Sequence, residues 1–204
     1  VSGSKLFGTE SQFKNEIVTE IAATLAFSAT QNNDKIGLIL FSDSTELYIP
    51  PKKGRSHVLR IIRELIEFEP KSKKTNIAEG LKFLSNVMKK KAIVFLLSDF
   101  MADDYQHNLK IASGKHDITG IRVYDKYEAE IPNMGMVQVQ DQETGNSFLV
   151  NTSSKSVRKS YEDNYKNSIQ YFSDSFKKSA AGALDCMVGE SYVKKLLGYF
   201  KQRG

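Results

Sequence analysis

The run Ala92-Ile93-Val94-Phe95-Leu96-Leu97 is the longest uninterrupted apolar stretch in the chain, and it stops at Ser98-Asp99. Six apolar residues without alternation have no face reserved for water, so the run predicts a strand covered on both sides, as in a parallel sheet between helix layers. Ile36-Gly37-Leu38-Ile39-Leu40-Phe41 is a second run of the same kind. Residues 45–49 are expected to return from it as a short edge strand ended by Pro50-Pro51.

Between and around these runs the apolar period changes to that of helices. Thr9-Glu10-Ser11-Gln12 has the form of a capping box, and Phe13, Ile17, Ile21 and Leu25 then recur every four residues, which predicts a helix over about 9–29. Ser56 opens a second helix with Val58, Ile61, Ile62, Leu65 and Ile66 on one face, stopping before Pro70. Asn76 and Glu79 cap a third, which carries Ile77, Leu81, Leu84, Val87 and Met88 to the core.

Downstream, a helix is expected over about 102–112 and a strand over about 117–124. A β-hairpin (136–140 with 147–150) follows around a polar turn. Val157, Tyr161, Tyr165, Ile169, Phe172 and Phe176 then space a long helix whose aromatic residues serve the core. A strand over 183–188 precedes a last helix with Tyr192, Val193, Leu196, Leu197 and Phe200 on its apolar face. Strands alternating with amphipathic helices predict an α/β fold: a doubly wound, mostly parallel sheet with helices on both faces. The length of 204 residues fits one domain over 1–204, with the hairpin inserted at 133–152.

Composition narrows the function. With 40% hydrophobic and 26% charged residues the chain is globular, and no apolar run reaches the roughly 20 residues a membrane-spanning helix needs. The net charge is +5, yet the lysine runs at 52–53, 71–74 and 89–91 fall at loops and helix ends, where they complement helix dipoles. No aromatic strand pair or recognition helix accompanies them, so nucleic acid is not the expected partner. The single cysteine, Cys186, lies in an apolar run and fits a reducing, cytoplasmic setting.

Chemistry is suggested where hydroxyls and a carboxylate come at element ends. Ser2 and Ser4 flank a glycine before the first helix, Thr75 stands at the start of the third helix, and Asp99 closes the strongest strand. Oxygen donors of this kind suit Mg²⁺ or Mn²⁺ rather than zinc, and neutral hydroxyls leave metal charge free to draw an acidic group from outside. In open α/β sheets ligands bind beyond the carboxyl ends of the strands, where Asp99 is expected. Asp43, just past the second apolar run, is a further candidate for the same edge. Asp125, Glu128 and Glu130 form an acidic loop, read first as solvated and second as a cation or docking site. His116-Asp117 reads as a strand-start polar pair rather than a catalytic dyad, because no nucleophile motif accompanies it.

The order of these residues resembles the later part of the metal-ion-dependent adhesion site of von Willebrand factor A domains. Ser2-Gly3-Ser4 matches the tail of the Asp-x-Ser-x-Ser motif, and Thr75 and Asp99 match its later threonine and aspartate. A more specific resemblance is to the bacterial domain of unknown function 58. It rests on Ser2-Gly3-Ser4 with Phe7-Gly8, Asp34 through Phe41, Pro50-Pro51-Lys52-Lys53-Gly54, Thr75-Asn76-Ile77, Leu97-Ser98-Asp99-Phe100 and His116-Asp117. Asp125 with Glu128 and Pro132, and Asp141 with Glu143-Thr144-Gly145, complete it.

The resemblance implies a von Willebrand A-like, Rossmann-type fold and a non-enzymatic protein-binding module, with a MoxR-type AAA+ ATPase as partner. It also implies a first Asp two positions before Ser2 and a central strand leading to it. Without them, an N-terminally truncated fragment is expected, with weak or absent metal. The sheet is then expected to leave a gap beside 92–97 or to recruit a strand by swapping or dimerising. The competing readings are a Mg²⁺-dependent phosphoryl-transfer or hydrolytic enzyme at the same edge, for which neither a Walker motif nor an Asp-x-Asp strand exit is present, and nucleic-acid binding through the lysine runs.

Overall fold

The computed structural model describes residues 4–72, 74–140 and 147–203, without the side chains of residues 4–13, 127, 139 and 140. The first helix, α1, spans Ser4–Gln31 and so begins five residues before the expected capping box. Two strands follow, β1 (Ile36–Phe41) and β2 (Thr45–Lys52), then α2 (Arg55–Glu67) and α3 (Ile77–Val87). The third helix starts as expected from its sequence: Asn76 is the N-cap, and its side-chain oxygen accepts the Glu79 N–H at 3.0 Å.

The strong apolar run forms β3 (Ile93–Ser98), followed by α4 (Gln106–Ser113) and β4 (Asp117–Tyr124). The expected helix over 102–112 starts late because the backbone first turns through left-handed conformations at Phe100 (φ 55°) and Asp104 (φ 60°). A short 3-10 turn at Lys126–Ala129 leads to the hairpin of β5 (Met136–Gln140) and β6 (Ser147–Asn151). Buried Thr152 fastens the base of the hairpin, its hydroxyl donating to the Gly135 carbonyl and accepting from the Met134 N–H. The chain ends in α5 (Lys155–Lys178), β7 (Gly182–Met187) and α6 (Tyr192–Arg203).

The architecture is mixed α/β. A parallel sheet runs in the order β3-β4-β7, and β1 and β2 form a separate antiparallel pair. Strand β2 passes through Pro50 and Pro51 instead of stopping before them. Ile36 pairs with Lys52 and Leu38 with Ile49, so the two prolines sit at a bulge where they cost few ladder hydrogen bonds. Gly37 lies opposite because a Cβ there would come within 2.8 Å of the Ile49 carbonyl and 3.0 Å of the Pro51 ring.

Period-2 alternation divides the parallel sheet between two cores. Phe95, Leu97, Ile121, Val123, Leu184 and Cys186 face α1 and α6, meeting Ile17, Ile21, Leu25 and Leu196. Leu96 and Ile118 face the opposite side, where α3, α4 and α5 contribute Leu81, Leu84, Leu109, Phe172 and Phe176. Helices therefore lie on both faces. The apolar stripes are narrower than the sequence pattern predicts at three places: Ile66 of α2, Tyr161 of α5, and Val193, Leu197 and Phe200 of α6 are exposed rather than buried.

Candidate functional site

The carboxyl end of the parallel sheet collects the polar chemistry. Register places Ser98, Arg122 and Asp185 in one row across β3, β4 and β7, and Asp99 follows Ser98 directly. The turn holding Asp99 is tightly built. Phe100 adopts a left-handed conformation that a bulky residue rarely takes, and its ring is buried against Phe172 (4.4 Å between centroids) and Phe176 (5.4 Å). Its N–H is satisfied by the Ser98 hydroxyl at 3.2 Å, and the Met101 N–H donates to Asp99 Oδ1 at 3.3 Å. The burial of Phe100 thus fixes the backbone beside Asp99, and one carboxylate oxygen is spent on the turn.

The other oxygen faces a cation. Lys14 Nζ, from α1, lies 3.1 Å from Asp99 Oδ2 and 2.7 Å from Glu128 Oε1 in the 3-10 turn. Burial works against the charge on Lys14, yet the two carboxylates outweigh it and hold its pKa above the ordinary lysine value. Glu128 Oε2 is buried and has no hydrogen-bond partner among the described residues. Lys14 thus sits between two carboxylates brought from different parts of the chain. Beside it, burial and then the charge of Glu128 raise the Tyr161 phenol above its usual pKa. The Tyr165 phenol is also raised, by burial, with Arg122 pulling against that rise.

The four residues expected to hold a metal fare differently. Asp99 stands at the strand end as predicted. Thr75 is exposed one residue before the Asn76 cap of α3. That corner is tied to the end of β1, where the Asn76 N–H donates to the Ser42 carbonyl at 2.7 Å. Ser2 lies outside the described residues; Ser4 is the first residue of α1, and its side chain lies outside them too. Among the described residues no group of three or more His, Cys, Asp or Glu side chains is gathered in metal-binding range. Asp43 is exposed and held by hydroxyls: Ser72 from beyond α2 first, then Ser44 and Ser42 of its own turn, keep its carboxyl below the usual range.

Glu128, read first as part of a solvated loop, faces Asp99 across Lys14. The role of Lys14 leaves no trace in the sequence, since a lysine in the first half of an amphipathic helix carries no local mark of a partner 85 or 114 residues away. His116 and Asp117 do not act as a pair. His116 is buried, with neither ring nitrogen hydrogen-bonded among the described residues, while Asp117 accepts from Arg203 at 2.7 Å.

Residues 1–171 match the model of a family described as a protein of unknown function, DUF58. The chain belongs to this family. Uncharacterised proteins of Mycobacterium tuberculosis strain H37Rv and Mycobacterium bovis are 23% identical over 148 residues, covering 71% of this chain and 47% of theirs. This DUF58 chain thus spans about half the length of those curated relatives. A Mycobacterium avium protein, also uncharacterised, is 25% identical over 100 residues, 48% of this chain and 59% of its own.

Among solved structures, the conserved hypothetical protein BatB from Bacteroides thetaiotaomicron superposes with a TM-score of 0.54, covering 93% of this chain and 86% of that one at 14% identity. An aerotolerance-related membrane protein from Bacteroides fragilis gives 0.56, covering 92% and 88%, also at 14% identity. At that identity the likeness concerns the fold alone. No helix among the described residues is long and apolar enough to cross a membrane.

Proposed function

We propose that this DUF58 chain is a non-enzymatic, metal-dependent protein-recognition module of von Willebrand A-like fold, working in the cytoplasm. The observation that carries the reading is the second oxygen of Asp99, turned toward a cation at the carboxyl end of a parallel strand. Asp99 with Thr75, Ser2 and Ser4 would hold Mg²⁺ or Mn²⁺. When bound, such an ion supplies a Lewis acid with unspent charge for a carboxylate offered by another protein. The chain's own part is to fix Asp99 through the buried Phe100 turn and to set Thr75 at a capped helix start. A MoxR-type AAA+ ATPase offering an acidic side chain is the proposed partner, in keeping with the family resemblance.

Capture of partners by the intact protein, with and without EDTA, tests the reading against Asp99→Ala. Chelation and substitution are each expected to abolish capture. Capture indifferent to both removes the metal from the account.

The sheet itself invites a further strand. Among the described residues β1 is bonded only to β2 and β3 only to β4, while Ile39 and Phe41 of β1 pack into the core that Leu96 of β3 also enters. We propose that an added strand, from a second copy or from elsewhere in the protein, pairs between them and satisfies both edges. Slow hydrogen exchange is then expected at the β3 amides that do not point to β4. Rapid exchange there would remove the added strand.

A further inference from the structure

Helix α2 carries apolar residues on two sides. Val58 and Ile61 are buried where α2 packs on α1 and β1. On the outer side Leu59 and Ile66 are 50% and 68% exposed, with half-buried Ile62 between them. Their spacing of three and four residues is that of a seam along which one helix packs against another. The charges along α2 are segregated. Lys52, Lys53 and Arg55 stand at its start, exposed and with no ion pair among the described residues. Glu67 and Glu69 stand at its end, also exposed and without an ion pair there, and share a groove with Glu46, Glu64, Phe68 and Lys71. Positive charge at a helix start and negative charge at its end oppose the helix dipole, so this arrangement does not serve α2 on its own.

We propose that this face of α2 pairs with the same face of a second copy of the chain, the two helices antiparallel about a two-fold axis near Ile62. Self-complementarity selects the occupant. A two-fold axis sets the basic start of each helix against the acidic end of the other, and Leu59 against Ile66 of the partner subunit at both ends of the seam. A wholly acidic or wholly basic partner satisfies one end of α2 and is repelled by the other. Antiparallel pairing also brings the positive end of each helix dipole to the negative end of its neighbour. The seam is short: α2 has 13 residues, which makes it about 20 Å long. The interface is therefore small and the dimer dissociates readily, with a Kd in roughly the micromolar range. The pairing involves neither Asp99 nor the open edges of β1 and β3, so it stands apart from the function proposed above.

Analytical ultracentrifugation of the intact protein over a range of concentrations measures the pairing. A dimer weakened by added salt is expected. Lys53→Glu with Arg55→Glu makes both ends of α2 acidic, and Glu67→Lys with Glu69→Lys makes both basic; each pair of changes is expected to weaken the dimer at least about tenfold. Ile66→Asp, which puts a charge into the seam, is expected to do the same. The chain with all four reversals keeps its net charge and is expected to regain the dimer to within about threefold. Every substituted side chain is exposed, so the fold tolerates the changes. An intact protein that stays monomeric at about 100 μM, far above a micromolar Kd, overturns the pairing. So does a dimer indifferent to the reversals, which then uses another face, and so does a chain with all four reversals that remains monomeric.

Discussion

Arg122 and Asp185 stand opposite one another on the adjacent parallel strands β4 and β7, with guanidinium Nε 2.7 Å from the carboxylate. The Arg122 side chain is 5% exposed, that of Asp185 49%; the guanidinium also lies 4.0 Å over the Tyr124 ring, and Nη1 bonds the Tyr165 hydroxyl. Removing Asp185 leaves a buried cation with neutral partners only. Asp185→Ala is expected to destabilise the fold by about 2 kcal/mol, and Arg122→Met by less, because the apolar replacement leaves no buried charge behind. Chemical denaturation of both variants measures the difference.

Gly120 is a glycine because α5 leaves no space at that point of the sheet. A Cβ there would lie 2.4 Å and 2.5 Å from two ring carbons of Phe176. Gly120→Ala is expected to cost about 1–3 kcal/mol through forced displacement of that ring. The paired change Gly120→Ala with Phe176→Leu should recover part of the loss in thermal unfolding.

His116 gives stability a slope in mild acid. Burial, and secondarily the charge of Lys115, push its pKa below the ordinary 6.5. Below pH 6.5 the unfolded chain takes up a proton that the folded chain refuses, so stability falls as pH drops from 6.5 toward the lower folded value. His116→Leu is expected to flatten that part of the profile relative to the unsubstituted protein. Urea denaturation from pH 7.5 to 5.5 checks the sign.

Cys186 is expected to be inert in the folded protein. Burial, opposed by Lys195, pushes the thiol up to about 11 from 9.0. At fixed pH that shift alone leaves roughly a hundredfold less thiolate than an ordinary cysteine. Labelling at pH 8 should therefore be slow in buffer and fast in denaturant. Equal rates would place the thiol at the surface.

The alternation of buried strands and amphipathic helices, the cap at Asn76, the bounds of β1 and β4, and the place of Asp99 at a strand end are all legible in the residue order. Those features are local: period, capping chemistry and turn residues act over a few positions, and they leave their mark there. Even local rules yielded to context at Pro50-Pro51, where a bulge against Gly37 let β2 continue. It took the packed fold to bring Lys14 to Asp99 and Glu128, to part His116 from Asp117, and to bury Arg122 between the apolar Ile121 and Val123. Each depends on charges brought together across many intervening residues by the packing of α1, α5 and α6 on the sheet. A charged residue shows its type in the sequence but not its partner, because the partner is chosen by the fold that surrounds it.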